Sequence, residues 1–208
     1  MDGKGREFKG FWGGASYDRL TSMVGMGPDF YRKAVGEVQV PMDSVILDLG
    51  CGTGSLSIAF TEKLKGVKAV HGVDISDDQL NHAKKKTDYF QQVFEFHRCS
   101  MDALPFPNEY FDVAATSMAL HETPPMVRRG AIRETARVLK KGGLFVLVDW
   151  SRPWRRILAA LWFPFLIFGK WQDNWRNTYA SLCKDAGMYL VEDGYINSIT
   201  RRQVFKKG

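Results

Sequence analysis

Short apolar runs alternate with amphipathic stretches from residue 45 onward. Runs in which nearly every position is apolar indicate strands buried on both faces, and apolar residues at helical spacing between them indicate crossover helices. This alternation is typical of a parallel sheet covered by helices on both sides. It predicts strands at residues 45–49, 69–73, 93–97, 111–116 and 144–149, and helices at residues 55–65, 77–87 and 126–139.

Proline and glycine mark the boundaries of several predicted helices. Pro28 suits the first turn of a helix, within a stretch of 40 residues that looks helical and connective. Gly142 and Gly143 are expected to end the helix at 126–139, because glycine readily adopts the left-handed conformation of a helix cap. The C-terminal part of the chain predicts a helix at 174–186 and two strand-like runs, 189–196 and 203–205, that add an antiparallel edge to the sheet.

Length and composition suit a single globular domain. A chain of 208 residues can bury a full core without metals or disulfides, and 45% hydrophobic with 25% charged residues is ordinary for such a domain. No internal repeat or low-complexity linker divides residues 1–208. The three cysteines are far apart and odd in number, and the first ten residues do not resemble a signal peptide. We therefore expect one domain and a cytoplasmic location.

The net charge of +6 permits contact with nucleic acid or with an anionic membrane. Much of this excess is local, with one arginine cluster at residues 152–156 and a second basic cluster at residues 201–207. A basic, solvated surface explains both clusters. Because the chain has no recognisable RNA-binding appendage, we do not expect a nucleic-acid partner.

A glycine-rich loop, Gly50-Cys51-Gly52-Thr53-Gly54, lies between the first predicted strand and its helix. Glycine allows a sharp turn and a close approach of a ligand to the backbone. A dinucleotide-binding loop would have a third glycine where this chain has Ser55, and Asp48 would repel a pyrophosphate. The same carboxylate attracts the ammonium and sulfonium groups of S-adenosylmethionine. The loop therefore favours S-adenosylmethionine over a nicotinamide dinucleotide.

Two further carboxylates follow neighbouring strands. Asp74 ends the second strand, where it can accept hydrogen bonds from both hydroxyl groups of a ribose, although this feature alone also suits a nicotinamide enzyme. Asp102 follows the third strand, where it can accept a bond from the amino group of adenine, with Met101 and Ala103 against the ring; the alternative for Asp102 is a turn cap. Ligands of open parallel sheets bind in a crevice at such strand ends.

With these motifs the sequence resembles the class I S-adenosylmethionine-dependent methyltransferases of the ubiquinone/menaquinone-biosynthesis type. The similar stretches are residues 45–54, 72–76, 102–107 with 111–112, and 133–134 with 137–143, and residues 17–20 and 23–33 resemble the N-terminal segment that caps the cofactor. The resemblance implies a three-layer, Rossmann-like α/β fold with seven mostly parallel strands, the last one antiparallel. The candidate cofactor contacts are Tyr17, Asp48, Gly50, Cys51, Gly52, Gly54, Asp74, Ile75, Met101, Asp102, Ala103 and Ser117.

Methyl transfer needs a general base only when the acceptor must lose a proton. His121 is the candidate base, because it follows the fourth strand and because histidine accepts protons near neutral pH. A packing role at a helix entry explains His121 equally well. Glu122, Asp149 and Tyr17 are weaker candidates. No HExxH spacing and no cluster of cysteines and histidines along the chain indicates a metal site.

An apolar segment at residues 157–169 interrupts the alternating pattern. It is too short to span a bilayer as a helix, and basic residues and tryptophans flank it. Three roles are open: a roof over the acceptor pocket formed by residues 151–175, an interfacial membrane contact through residues 154–171, or a homodimer face.

The sequence thus predicts a methyltransferase that acts on a small, apolar, quinone- or lipid-like acceptor. The rival interpretations are an NAD-dependent oxidoreductase and a non-catalytic binding module with the same fold.

Overall fold

The computed structural model describes residues Gly3, Gly5 and Glu7, residues 14–152 and residues 178–208. Strands and helices alternate from Ser44 onward, as the apolar pattern predicts. The strands are β1 Ser44–Leu49, β2 Val67–Asp74, β3 Val93–Arg98, β4 Phe111–Ser117, β5 Leu139–Trp150, β6 Met188–Tyr195 and β7 Thr200–Lys207. The helices are α1 Gly14–Met23, α2 Pro28–Val35, α3 Ser55–Lys63, α4 Asp77–Thr87, α5 Pro125–Val138 and α6 Thr178–Asp185, and a short 3₁₀ helix covers Leu120–Glu122.

The described strands form one seven-stranded sheet in the order β3-β2-β1-β4-β5-β7-β6. Strands β1 to β5 pair in parallel. Strand β7 lies between β5 and β6 and is antiparallel to both. The predicted fold class, with its antiparallel last strand, is therefore confirmed, and β6 forms the outer edge. Because the order reverses between β1 and β4, the loops after these two strands diverge and leave a crevice at their carboxyl ends.

Each face of the sheet is covered by its own set of helices. Helices α5 and α6 pack on one face, where Leu47, Phe145 and Phe205 are fully buried. Helices α2 and α3 pack on the other face, over Ile46 and Val146. Neighbouring strand residues point to opposite faces, so apolar residues at consecutive positions feed two separate cores.

The N-terminal helices are held by side chains from distant parts of the chain. The Arg202 guanidinium, on β7, is buried and donates to the carbonyl oxygens of Ala34 and Val35, at 2.7 and 2.9 Å. These carbonyls end α2, where the helix cannot satisfy them itself. Helix α2 begins at Pro28, as predicted.

The predicted helix cap at Gly142 and Gly143 is wrong. Helix α5 ends at Val138, and β5 already begins at Leu139. Both glycines lie inside the strand, at a point where its register with β4 shifts. Gly142 has a φ of 75°, and a Cβ on Gly143 would lie 3.0 Å from the carbonyl oxygen of Asp112. The glycine pair therefore forms an irregularity of the strand.

Several predictions concern residues outside the described part of the chain. The apolar segment at 157–169 and most of the proposed roof at 151–175 belong to this group, as do residues 174–177 of the predicted helix at 174–186, whose described part is α6. Among the helices of the described residues, none is both long enough and apolar enough to cross a membrane.

A substitution at Gly130 tests how closely α5 packs against the loop after β3. Alanine normally stabilises a helix interior relative to glycine by about 0.5–1 kcal/mol. At Gly130, however, a Cβ would lie only 2.6 Å from the Cβ of Asp102. We therefore expect Gly130→Ala to lower the free energy of unfolding by about 1–3 kcal/mol, as overpacking does elsewhere. Urea denaturation measures the change.

Arg129, exposed on the same helix, provides the control. Arg129→Gly should be less stable than Arg129→Ala by about 0.5–1 kcal/mol, the ordinary order of the two residues in a helix. If Gly130→Ala is instead more stable than the wild type, as alanine in a helix normally is, then α5 has room to move away from Asp102.

Candidate functional site

The glycine loop after β1 turns back over the end of β2. Gly50, Gly52 and Gly54 all have positive φ angles, of 67°, 51° and 76°. Residues with a Cβ disfavour this backbone conformation. The backbone N–H groups of Gly50 and Cys51 both donate to the carbonyl oxygen of Val73, at 2.8 and 3.0 Å. The sequence of glycines thus produces a turn that brings the loop against the last residues of β2.

Asp74, the last residue of β2, is fixed by the backbone on both sides. Gly52 N–H donates to Asp74 Oδ2 at 3.0 Å, and Ser76 N–H donates to Oδ1 at 2.9 Å. Burial raises the pKa of the Asp74 carboxyl, and these backbone N–H groups act in the opposite direction. A carboxylate oxygen can accept more than one hydrogen bond. Asp74 can therefore accept two further bonds from neighbouring hydroxyl groups of a ligand.

The opposite wall follows β4 and contains a residue in an unfavourable backbone conformation. Met118 has a φ of 56°, which is uncommon for a residue with a side chain and is often found at functional sites. Its N–H donates to the carbonyl oxygen of Val148 at 2.9 Å. This turn brings Ala119 so close to the glycine loop that a Cβ on Gly50 would lie 2.5 Å from the Cβ of Ala119. Glycine is therefore required at position 50.

Between the two walls lies a cleft of about 610 Å³, a volume that includes its opening to solvent. Seven of the predicted cofactor residues line it: Tyr17, Gly50, Gly52, Asp74, Ile75, Met101 and Ser117. Among the described residues, eight others also line it: Gly5, Gln79, Cys99, Ser100, Met118, Ala119, Glu122 and Thr123.

Most of the eight additional residues adjoin predicted ones. Cys99 and Ser100 directly precede Met101, and Met118 and Ala119 directly follow Ser117. A prediction that included the neighbouring residues at each strand end would have contained them. Gln79 is different, because it comes from within α4, where its side chain accepts a bond from Gly14 N–H at 3.1 Å. No sequence pattern distinguishes such a glutamine from an ordinary polar helix residue.

Asp48 lies outside the cleft lining although it was predicted as a cofactor contact. Its side chain is buried and accepts a hydrogen bond of 2.6 Å from Ser57 Oγ. Burial raises the pKa of the Asp48 carboxyl to about 7, because the hydrogen bonds from Ser57 compensate only part of the lost hydration. Asp48 can thus hold either charge state near neutral pH beneath the glycine loop.

The other four predicted residues outside the lining have packing partners or face solvent. Cys51 is buried, and a Cβ on Gly54 would contact Ala83 of α4. Asp102 accepts a hydrogen bond of 2.5 Å from Ser100 Oγ, so it contacts a residue of the cleft. Ala103 is exposed. Direct cofactor contact by these four residues stays a prediction.

His121 forms a buried pair with Asp149 beside the cleft. The distance from His121 Nδ1 to Asp149 Oδ1 is 2.6 Å, and the backbone N–H of His121 donates to Oδ2 at 3.1 Å. The backbone N–H of Trp150 and the hydroxyl of Tyr179 also donate to Asp149. The carboxylate at the end of β5 therefore fixes the orientation of the imidazole through two contacts.

The Asp149 pair changes the acid–base behaviour of His121. Burial lowers the pKa of His121, but the charges and hydrogen bonds of Asp149 and Glu122 outweigh burial and raise the pKa to about 9. At pH 7 the ring is therefore mostly protonated, whereas an unperturbed histidine would be mostly neutral. His121 Nε2 lies 3.5 Å from Glu122 Oε1, whose residue lines the cleft.

Comparison with known proteins identifies the fold and the family. A family model described as a methyltransferase domain matches residues 46–143. The demethylmenaquinone methyltransferase of Bacillus licheniformis is 30% identical over 162 residues, which are 74% of this chain and 68% of that protein. The corresponding enzyme of Staphylococcus aureus strain JH9 is 31% identical over 161 residues, 74% of this chain and 66% of that protein. The aligned region thus spans about two thirds of these relatives.

Solved structures show the same fold. A putative methyltransferase of Haloferax volcanii, in complex with the Trm112 methyltransferase activator, superposes with a TM-score of 0.72 at 19% identity, covering 92% of this chain and 93% of that chain. A putative methyltransferase of Bacillus halodurans gives a TM-score of 0.64 at 24% identity, covering 79% and 71%.

The sheet, the strand-end cleft and the matched domain together define a methyltransferase. The chain belongs to the class I S-adenosylmethionine-dependent methyltransferases of the ubiquinone/menaquinone type. Its cofactor is S-adenosyl-L-methionine. The predicted family, enzyme class and cofactor are confirmed, and the rival interpretation as an NAD-dependent oxidoreductase is set aside.

The cleft residues fit this cofactor. Open space lies over Gly52, where a Cβ would meet no atom within 4 Å. Asp74 offers a carboxylate in place of the backbone N–H cradle that a pyrophosphate would need, and S-adenosylmethionine carries hydroxyl groups, a sulfonium and an ammonium but no phosphate.

Asp74→Ala tests this assignment. Removing a charged hydrogen-bond acceptor should weaken S-adenosylmethionine binding by about 1.5–3 kcal/mol, measured by isothermal titration calorimetry. Asp88→Ala, which removes an exposed carboxylate after α4, should leave the affinity unchanged. Equal affinities of the two variants would exclude Asp74 from the cofactor site.

Proposed function

We propose that this enzyme transfers a methyl group from S-adenosylmethionine to a small, apolar acceptor of the quinone class. The observation that carries the proposal is the junction of the cleft with the His121–Asp149 pair, since Glu122 and Thr123 line the cleft directly after His121. A hydroxyl-bearing ring, such as a reduced quinone, needs both a binding cleft and a nearby group that can exchange a proton.

The cofactor supplies a methyl carbon that its sulfonium group activates. In our proposal Asp74 accepts hydrogen bonds from the ribose hydroxyls, and Ile75 and Met101 pack against the adenosine part. The remaining task of the protein is to align the acceptor with the methyl group. Alignment of this kind supplies roughly 7–11 kcal/mol of a reaction barrier.

His121 is proposed to accept the proton of the acceptor hydroxyl through Nε2. Asp149 faces Nδ1 at 2.6 Å, so it favours the tautomer in which Nδ1 keeps its proton and Nε2 carries none once the ring is neutral. With a pKa of about 9, only about one ring in a hundred is neutral at pH 7. The proposed base therefore becomes fully effective only at alkaline pH.

The names of the similar proteins support a quinone acceptor, since the aligned relatives are demethylmenaquinone methyltransferases.

The apolar residues at 157–169 would suit such an acceptor if they form its roof. The described residues stop at Arg152, after β5, and resume at Thr178, the first residue of α6, and Tyr179 contacts Asp149. Both ends of this segment thus flank the proposed base, which favours a roof over the two alternatives, membrane contact through 154–171 and a homodimer face. A cytoplasmic location accords with this function.

Reduced demethylmenaquinone is the acceptor that tests the proposal. Incubated with methyl-labelled S-adenosylmethionine and the enzyme, it should give a labelled product that an organic solvent extracts. A water-soluble phenol without an apolar tail should be methylated far more slowly, because it buries less apolar surface. Labelling of the phenol at an equal or higher rate would overturn the apolar acceptor, while the cofactor titration would still report on the family assignment.

His121→Gln tests the proton acceptor. Loss of a general base should lower kcat by roughly 10²–10⁴-fold with little change in cofactor affinity. In the wild type, log kcat/KM should rise with pH below about 9, the pKa of His121, and level off above it; the variant should lack this rise.

His82→Gln is the matched control, because His82 lies on α4 and does not line the cleft. It should keep both the rate and the pH profile of the wild type.

The stability of the protein provides a second readout of His121. Because folding raises the pKa of His121 above 6.5, its stabilising contribution is complete below pH 6.5 and is lost as the pH rises to about 9. If the pH profile of the rate is unchanged in His121→Gln, His121 has a packing role and is not the base.

A further inference from the structure

Three potential metal ligands converge on neighbouring strands away from the cleft lining. His71 on β2 is the register partner of Glu95 on β3. Glu95 and His97 are two residues apart, so they project from the same face of β3. His71 Nδ1 lies 3.4 Å from His97 Nε2 and 3.4 Å from Glu95 Oε2, and His97 Nε2 lies 3.7 Å from the same Glu95 oxygen.

These separations match the spacing of ligand atoms around a tetrahedral ion. Zinc binds histidine nitrogen and carboxylate oxygen at about 2.0–2.2 Å. Two such ligands at the tetrahedral angle are about 3.3–3.6 Å apart, which follows from those bond lengths. A single ion placed between the three atoms can therefore bind all of them with little movement of the side chains.

The surroundings hold the two imidazole rings in place and leave one side accessible. His71 packs edge-on against Phe106, Tyr110 and Phe111, with ring centroids 5.5–5.8 Å apart. His97 packs against Phe106 at 5.2 Å. Side-chain exposure rises from 7% for His71 to 33% for His97 and 52% for Glu95. An ion can thus enter from the Glu95 side, where water would complete its coordination.

The charge states also suit a cation. Burial lowers the pKa of His71, with Glu95 raising and His97 lowering it by charge. An imidazole nitrogen that carries no proton offers a lone pair for coordination. The Glu95 carboxylate supplies negative charge against a divalent ion.

We propose that His71, Glu95 and His97 form a binding site for a divalent transition-metal ion of the zinc class. Imidazole and carboxylate ligands are typical of zinc, and three protein ligands leave a fourth position for water. The ion would link edge strand β3 to β2. Asp74, which ends β2, and Cys99, which directly follows β3, both line the cleft, so the ion would stiffen one wall of the cofactor site.

Zinc alone is the probe that tests this site. Calorimetric titration of the full-length, tag-free protein with Zn²⁺ should show one ion bound per chain. Equimolar Zn²⁺ should raise Tm, and EDTA should reverse the rise. Glu95→Gln and His97→Ala should each reduce zinc affinity by more than the roughly 10–100-fold that loss of an outer-shell partner costs.

Two control variants separate this site from other zinc ligands. His82→Ala removes a histidine outside the cluster, and Cys99→Ser removes the nearest thiol along the strand; both should bind zinc like the wild type. Glu95 is half exposed, so Glu95→Gln remains a valid test even if His97→Ala does not fold. The proposal is overturned if the wild type binds no zinc, if Glu95→Gln keeps the wild-type affinity, or if Cys99→Ser loses it.

Discussion

The geometry of the site depends on one constraint: the chain must reverse sharply at the end of β1 while remaining bonded to the end of β2. Positive φ angles at Gly50, Gly52 and Gly54 make the reversal accessible. The bond from Gly52 N–H to Asp74 then fixes the carboxylate that faces the cleft. Ala119 lies against the same turn from the other side. A side chain at the first glycine would therefore disturb both walls of the cleft at once.

The buried carboxyl groups around this turn have raised pKa values, and that of Asp48 is about 7. Burial alone would keep the carboxyl groups of Asp48 and Asp74 protonated to a higher pH than usual. A positively charged ligand nearby has the opposite effect, because it favours the ionised carboxylates. The site is thus suited to a cationic cofactor, and its binding should release protons in the range where Asp48 titrates.

The sequence predicted the elements that depend on local patterns. Apolar runs located the first five strands, and strand-end carboxylates located one side of the cleft. Features that depend on contacts between distant residues were not accessible in this way. The glycine pair at 142–143 resembles a helix cap in the sequence, but in the structure it lies where strand β5 is irregular. Only the pairing of β5 with β4 reveals this irregularity. The burial of Asp48 beneath its own loop, and the meeting of His71 with Glu95 and His97 across two strands, likewise follow from register and packing.

The capping of α2 by Arg202 links two elements that are far apart in the sequence. The two residues joined by the bond to Ala34 are 168 positions apart. During synthesis, the last turn of α2 must wait for its partner until β7 has left the ribosome. The same delay applies to the sheet, because β7 has to insert between β5 and β6, which precede it in the chain. Nascent chains of this enzyme therefore expose an incomplete sheet edge until β7 has been synthesised, and they are prone to misassembly up to that point.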